Sequence, residues 1–356
     1  MTGLTTDRSA WGALGPLIEG AGVTDVLVNG SRGVWVDRGD GPARVPVDLG
    51  GEDAVRALAV RLAARAGRRL DDGLPWVDAR LPGGVRLHAV LPPVAPEGTH
   101  ISLRILRGPS LDLAALESGG GILPGWAGVL TGLIASRAAF LVTGGTGAGK
   151  TTLLAALLGL VPREERIVLV EDVGELRPRH PHVVRLEARH ANVEGRGAVG
   201  LDDLVRQALR MRPDRLVVGE CRGAEVRDLL GALNTGHAGG CGTLHANAAA
   251  EVPARLEALG ALAGMGPRAM ASQAAAALDA VVHVRRDGGL RRVVEIAVVG
   301  RSPDGGLVVT PALSCAAAGS TDPVTTTGPA WPRLATRLGA GAAAGVAAAV
   351  GMGGGG

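Results

Sequence analysis

The sequence predicts a chain of two mixed domains, a smaller α+β unit followed by a larger α/β domain built on a mostly parallel sheet. Three observations predict it. The chain has 356 residues, 46% of them hydrophobic, enough to fill two cores. Up to about residue 107 the pattern is one of hairpins around a single helix, whereas from Trp126 onward helical stretches alternate with short apolar strands. Between the two, residues 108–125 carry Pro109, Gly119-Gly120-Gly121 and Pro124, the composition of a linker.

In the first domain, residues 1–107, Val26-Leu27-Val28 and Val34-Trp35-Val36 flank the turn Asn29 to Gly33 as a hairpin. Val55, Leu58, Ala59 and Leu62 recur at helical spacing, with Arg56, Arg61 and Arg65 among the polar positions. Val77 to Leu81 and Val85 to Val90 straddle Pro82-Gly83-Gly84, and Ile101 to Leu106 supplies a last strand. The second domain, residues 126–310, opens with the apolar run Ala138 to Thr143 and the helix-forming run Thr152 to Leu158, stopped by Gly159 and Pro162. Ile167 to Val170, Leu216 to Val218 and Val281 to Val284 read as further strands. Residues 311–356 lapse into Ala, Gly, Thr and Pro without periodicity and read as a low-complexity, disordered tail. Its uncharged end, Leu338 to Gly356, has the length of a membrane span but too few large apolar residues to insert.

Composition narrows the function. Aromatics are 2% and tyrosine is absent, which argues against single-strand binding by base stacking, and a net charge of +3 is too mild to demand a nucleic-acid partner. No direct nucleic-acid contact is expected. Cys221, Cys241 and Cys315 are odd in number and widely spaced, as in a reducing cytoplasm, and the N-terminus shows no basic-then-apolar signal sequence.

Lys150 is the chain's only lysine, and it closes Gly144-Gly145-Thr146-Gly147-Ala148-Gly149-Lys150-Thr151. Such a loop wraps backbone N–H groups around α- and β-phosphates, its lysine reaches β and γ, and the following hydroxyl holds Mg²⁺. Everywhere else the basic residue is arginine or histidine, so this position needs a compact ammonium rather than a planar fork. With strand, loop and helix in the order the motif demands, residues 144–152, from Gly144 through Thr152, predict a nucleoside triphosphate site, ATP with Mg.

Hydrolysis also needs a metal-organising carboxylate and a base near the γ-phosphate. Ile167 to Asp172 is an apolar strand ending in Glu171 and Asp172, and Arg215 to Glu220 is another ending in Glu220. Strand carboxyl ends of a parallel sheet face the ligand crevice, so these carboxylates are expected at the edge that holds the phosphate loop. In Asn234 to Asn247, His237, Cys241 and His245 are spaced by four and would line one helix face like zinc ligands. Gly236, Gly239, Gly240 and Gly242 argue against that helix, and the stretch reads as a glycine-rich loop whose histidines contact phosphate.

The order of these segments resembles the ATPases of type II and type IV secretion systems, within them the CpaF-like, Tad-pilus and conjugal-transfer branch. The resemblance rests on the phosphate loop, Val170 to Leu176, Leu209 to Arg222 and the two-histidine stretch, which stand where that family has its Walker A loop, Asp box, Walker B segment and His box. It extends through Asp25 to Asn29, Asp78 to Pro93 and Ile101 to Leu106, and covers residues 14–300. It implies a RecA-like P-loop NTPase domain preceded by a smaller α+β N-terminal domain. It further implies a cytoplasmic homo-hexamer, peripheral at the inner face of the membrane, that hydrolyses ATP to power pilus assembly or a related secretion or conjugation apparatus through an inner-membrane platform protein. By the same resemblance Lys150 and Thr151 bind phosphate and Mg²⁺, Glu171 and Glu220 activate water or order the metal, and His237 and His245 couple the γ-phosphate to neighbouring strands. Arg80, Arg86 and Arg104 resemble arginines that reach across the nucleotide cleft. Ala238 and Gly240 depart from the family, which often has an acid and a serine there. The alternatives are a DNA-translocating ATPase of similar core and a nucleotide-gated scaffold without turnover.

Overall fold

Apolar alternation and the placement of glycines decide the architecture. The structure is a computed structural model that describes residues 11–350 apart from 40, 82, 106–110, 190–195, 288, 317–322, 340, 342–343 and 348–349. The chain divides into two units, Met1–Gly108 and Pro109–Gly356.

The first unit comprises α1 (Gly15–Glu19), β1 (Asp25–Asn29), β2 (Val34–Asp37), β3 (Pro42–Val45), α2 (Glu52–Arg65), β4 (Trp76–Leu81), β5 (Val85–Val90) and β6 (His100–Ile105). Its sheet is antiparallel in the order β3-β2-β1-β6-β5-β4. Val26, Val28, Leu87, Ile101 and Leu103 alternate onto one face and pack on Val55, Leu58 and Leu62 of α2, so the helix and strand periodicities meet in one core. The opposite face carries a row of three arginines that ends on an acid: Arg80 pairs across strands with Arg86, Arg86 with Arg104, and Arg104 with Asp25.

The second unit comprises α3 (Leu113–Ser118), α4 (Trp126–Ala135), β7 (Phe140–Gly144), α5 (Lys150–Leu158), β8 (Ile167–Glu171), β9 (Val183–Glu187), α6 (Leu201–Ala208), β10 (Arg215–Cys221), α7 (Glu225–Asn234), β11 (Cys241–His245), α8 (Val252–Leu262), α9 (Pro267–Ala277), β12 (Ala280–Asp287), β13 (Leu290–Arg301), β14 (Leu307–Ala316), β15 (Val324–Thr327) and α10 (Trp331–Leu338). The sheet runs β15-β14-β13-β12-β7-β11-β10-β8-β9. Strands β12 through β9 in that order are parallel, and β13 to β15 extend them antiparallel. The central strands are buried on both faces. Phe140 and Val142 join the core beneath α4 and α5, while Leu141, Val168 and Val170 join the core beneath α6 to α9.

Three expectations change. The linker read at 108–125 contains α3, N-capped by Asp112, whose carboxylate accepts from Ala115 N at 2.8 Å, and Leu113 is buried in the larger core. Residues 108–110 of that linker lie outside the described residues. The described residues of the tail read at 311–356 are part of the domain: β14 and β15 complete the sheet, Trp126 Nε1 donates to Thr325 Oγ1 at 3.0 Å, and Val346 is fully buried against the α4 core, while residues 317–322, 340, 342–343, 348–349 and 351–356 of that range lie outside the described residues. Its small residues allow close approach rather than disorder, since a Cβ on Gly125 would meet Gly345 O at 2.5 Å. The third change concerns the stretch before His245. Cys241 to His245 is not a loop but the strand β11, inserted between β7 and β10. Gly242 serves that insertion, because a Cβ there would fall 2.8 Å from Val218 O on the neighbouring strand.

Candidate functional site

Strand β7 delivers the phosphate loop. Gly144 turns the chain off the strand at φ +155° and Gly149 starts α5 at φ +99°, conformations that side chains rarely adopt. Between them a Cβ on Gly145 or Gly147 would meet nothing within 4 Å, which leaves an open cradle at the N-terminus of α5. Lys150 is buried, and its Nζ donates to Gly144 O and Gly145 O, each at 2.9 Å. Burial lowers its pKa, an effect that the negative charge of Glu220 opposes.

The adjacent parallel strands bring their carboxyl ends to the same edge. His245 pairs in register with Gly144, and its ring lies 3.4 Å from Lys150 Nζ. His245 Nε2 is 2.6 Å from Glu220 Oε1, close but not aligned as a hydrogen bond, so that oxygen is buried without a hydrogen-bond partner among the described residues. Burial and the Lys150 charge lower the His245 pKa, which keeps the imidazole neutral at physiological pH. Strand β10 breaks register between Val218 and Cys221, a bulge that re-aims Glu220, and Thr243 Oγ1 ties it down by donating to Gly219 O at 2.6 Å. Arg222 pairs with Glu220 and approaches Asp172 at 3.9 Å. Glu225 fixes the turn beyond by accepting from Arg222 N and Gly223 N at 2.5 and 2.8 Å.

Glu171 ends β8 and is 3% exposed. Its Oε1 accepts from Glu175 N and Leu176 N, each at 2.9 Å, while Oε2 is buried with no hydrogen-bond partner among the described residues. Its Cγ occupies the space that a side chain at position 219 would need, since a Cβ on Gly219 would fall 2.6 Å away. Burial pushes its carboxyl up to about 7, outweighing the two N–H groups that favour the anion.

The structure therefore brings Lys150, His245, Glu220 and Asp172 into one contiguous set beside the loop residues Gly144 to Thr152, with Glu171 on the neighbouring strand end. It does not bring His237 there. His237 lies in the turn before β11, its backbone N–H donating to Ala232 O at 3.3 Å, at the sheet edge opposite the loop. The strand alone separates the two edges by about 13 Å at ~3.3 Å per residue. That opposite edge has its own anchor: buried Arg215 donates to Glu165 at 2.5 Å, and Arg137 donates to the same carboxylate at 2.7 Å and to Ala238 O at 3.4 Å. The sequence reading that paired the two histidines missed the intervening strand because the glycines masked it. Arg86 and Arg104 are held on their own sheet: Arg86 makes a two-pronged contact with Asp78 at 2.7 and 3.1 Å, and Arg104 Nε donates to Asp25 at 3.1 Å, while Arg80 lies on β4 opposite Arg86. Arg222 was missed as a site residue although it falls two positions after Glu220; in an arginine-rich chain its type carries little signal.

With this geometry in hand, comparison with known proteins identifies the lineage. The type II/IV secretion system protein family matches residues 9–288. The chain belongs to that family. A Mycobacterium tuberculosis (strain CDC 1551 / Oshkosh) protein named for conjugal transfer is 59% identical over 303 residues, covering 83% of this chain and 86% of that protein. The type IV secretion system protein PtlH of Bordetella pertussis is 34% identical over 319 residues, covering 80% and 92%. Among solved structures, the pilus retraction motor PilT with bound ADP aligns with a TM-score of 0.54 at 22% identity, covering 82% of this chain and 78% of that one. The fold of the second unit is accordingly that of a RecA-like P-loop NTPase, with a smaller α+β domain before it. None of the described helices is long and apolar enough to cross a membrane.

Proposed function

We propose that this secretion-family chain is an ATPase motor that works as a homo-hexamer at the cytoplasmic face of the membrane. Its hydrolysis powers assembly of a Tad-type pilus or a related secretion or conjugation apparatus through an inner-membrane platform protein. The observation that carries the catalytic part is the meeting of Lys150, His245 and Glu220 beside an open phosphate cradle, with the half-satisfied carboxyl of Glu171 on the next strand. The names of the relatives, conjugal transfer and type IV secretion, support the cellular part.

The residues present fit a magnesium nucleotide: the cradle is open at Gly145 and Gly147, and Glu220 keeps a buried oxygen without a hydrogen bond. Thr151 and Glu220 would hold Mg²⁺, which when bound neutralises charge on the β- and γ-oxygens. Backbone N–H groups from Gly145 to Thr152 cradle the phosphates, and Lys150 exchanges its carbonyl acceptors for phosphate oxygens. Glu171, poised near neutrality, takes the proton of the attacking water on its free Oε2. His245, between Lys150 and Glu220, registers the γ-phosphate and passes its presence to β10 and β11. By resemblance, Arg80, Arg86 and Arg104 add positive charge to the transferring phosphoryl group.

Glu171→Gln and Glu220→Gln test this reading. Each keeps shape and removes charge, so ATP binding persists while single-turnover hydrolysis falls at least ~10²-fold, the scale of a lost acid–base group. Binding that falls in step with hydrolysis makes the two carboxylates structural, and a wild type that binds ATP without hydrolysing it is a nucleotide-gated scaffold.

A further inference from the structure

Strand β7 has two neighbours, and only one of them, β11, supplies a residue to the site described above. The other is β12. It pairs with β7 through His283 and Thr143, and its Val284 carbonyl occupies the space that a side chain on Gly144 would need. Beyond Val284 the β12–β13 hairpin overhangs the phosphate loop, and its cross-strand pairs there are Arg285 with Arg292 and Arg286 with Arg291. Successive pairs face opposite ways: Arg292 is buried and its Nε donates to Gly120 O at 3.0 Å, whereas Arg291 is exposed.

Arg291 is aimed at the loop. Its stem lies along the loop, with Cδ 3.2 Å from where a Cβ on Gly149 would stand, and its Nε donates to Gly147 O at 2.9 Å. Its two terminal nitrogens have no hydrogen-bond acceptor among the described residues. The guanidinium thus stands at Gly147 to Gly149, the part of such a loop that cradles the α- and β-phosphates, and on the side of β7 away from His245.

We propose that Arg291 is a nucleotide-binding residue that grips the α,β-diphosphate common to ATP and ADP, flanking the phosphate chain opposite Lys150 and His245. A planar fork held by its own Nε presents its outer N–H groups to two phosphate oxygens without losing much side-chain freedom. Because substrate and product share the diphosphate, the contact sets affinity for both and belongs to nucleotide retention rather than to the bond-breaking step. The inference rests on the reading of the loop as a nucleotide site.

Calorimetric titration of the full-length chain with ADP and with inorganic pyrophosphate tests it, using wild type, Arg291→Met, Arg291→Lys and Arg286→Met. Arg291→Met keeps the stem and loses the charge. It weakens ADP and pyrophosphate by a common factor of ~10–100, the worth of a hydrogen bond to a charged group, and raises the KM for ATP by a similar factor. Arg291→Lys recovers at least part of that loss, and Arg286→Met stays within about twofold of wild type, as expected of an exposed surface charge. Equal losses in Arg291→Met and Arg291→Lys identify the Gly147 contact as a loop-shaping one and overturn the proposal. Wild-type affinity in Arg291→Met, or an equal loss in Arg286→Met, overturns it as well. A wild type that binds neither ligand overturns the nucleotide reading itself.

Discussion

Glu171 shows how a single buried carboxyl ties stability to chemistry. Its pKa stands at about 7 against an ordinary 4.5 because burial disfavours the anion more than two backbone N–H groups favour it. A base must be ionised, so hydrolysis falls as pH drops through about 7, and the pH–rate profile of single-turnover hydrolysis reads this directly. The folded state binds this proton more tightly than the unfolded chain. The stability it brings is therefore complete below the unfolded value and is lost as pH rises through about 7. Glu171→Gln, neutral at all pH, accordingly melts above wild type at pH ~8, and the difference vanishes only below the unfolded value, at pH ~4. A constant difference across that range would show that the carboxyl ionises normally. The two histidines separate just as cleanly. His245 touches Lys150 and Glu220, whereas His237 lies at the other edge. His245→Ala should lower kcat at least ~10-fold further than His237→Ala, the low end for loss of a contact to a charged group. Equal effects would contradict the assignment.

At the scale of elements, the carboxyl edge of the sheet carries chemistry and the amino edge carries stability. Gly219→Ala pushes a Cβ against Glu171 Cγ, so it should cut hydrolysis far more than nucleotide binding, at a stability cost of about 1–3 kcal/mol for an overpacked contact. Arg215→Ala does the reverse. It removes a buried guanidinium and leaves the half-buried Glu165 to Arg137, a loss of up to about 3–5 kcal/mol for a broken buried pair, visible in chemical denaturation. Most of the elements that frame the site were legible in the sequence, because apolar runs of strand length preceded a glycine-rich loop and two acidic strand ends. Strand β11 was not, since Gly240 and Gly242 read as helix and strand breakers although they serve close strand contact: a Cβ on Gly240 would meet Leu216 O at 2.8 Å. The strands β14 and β15 were hidden for a related reason. Their Ala, Ser and Thr residues give weak periodicity around the few large buried anchors, Leu307 and Leu313, and pairing to β13 and to each other completes their hold. Arg291 was invisible for yet another reason, because in a chain with 36 arginines beside one lysine only geometry singles one out.

For the whole molecule, the proposed ring would make the ATPase cycle a property of an assembly. Arginines on the N-terminal sheet that complete sites within a ring would make specific activity rise steeply with protein concentration, as subunits associate by mass action. The most direct test mixes wild type with Lys150→Ala at fixed total protein and follows Mg-dependent ATP hydrolysis against the fraction of variant. Lys150→Ala alone is inactive in this account, since the lysine neutralises charge that exists only when nucleotide is bound. In a ring, activity falls well below the straight line of simple dilution, because each inactive subunit interrupts its neighbours; a linear decline, with specific activity flat from nanomolar to micromolar protein, would leave independent subunits and contradict the ring motor.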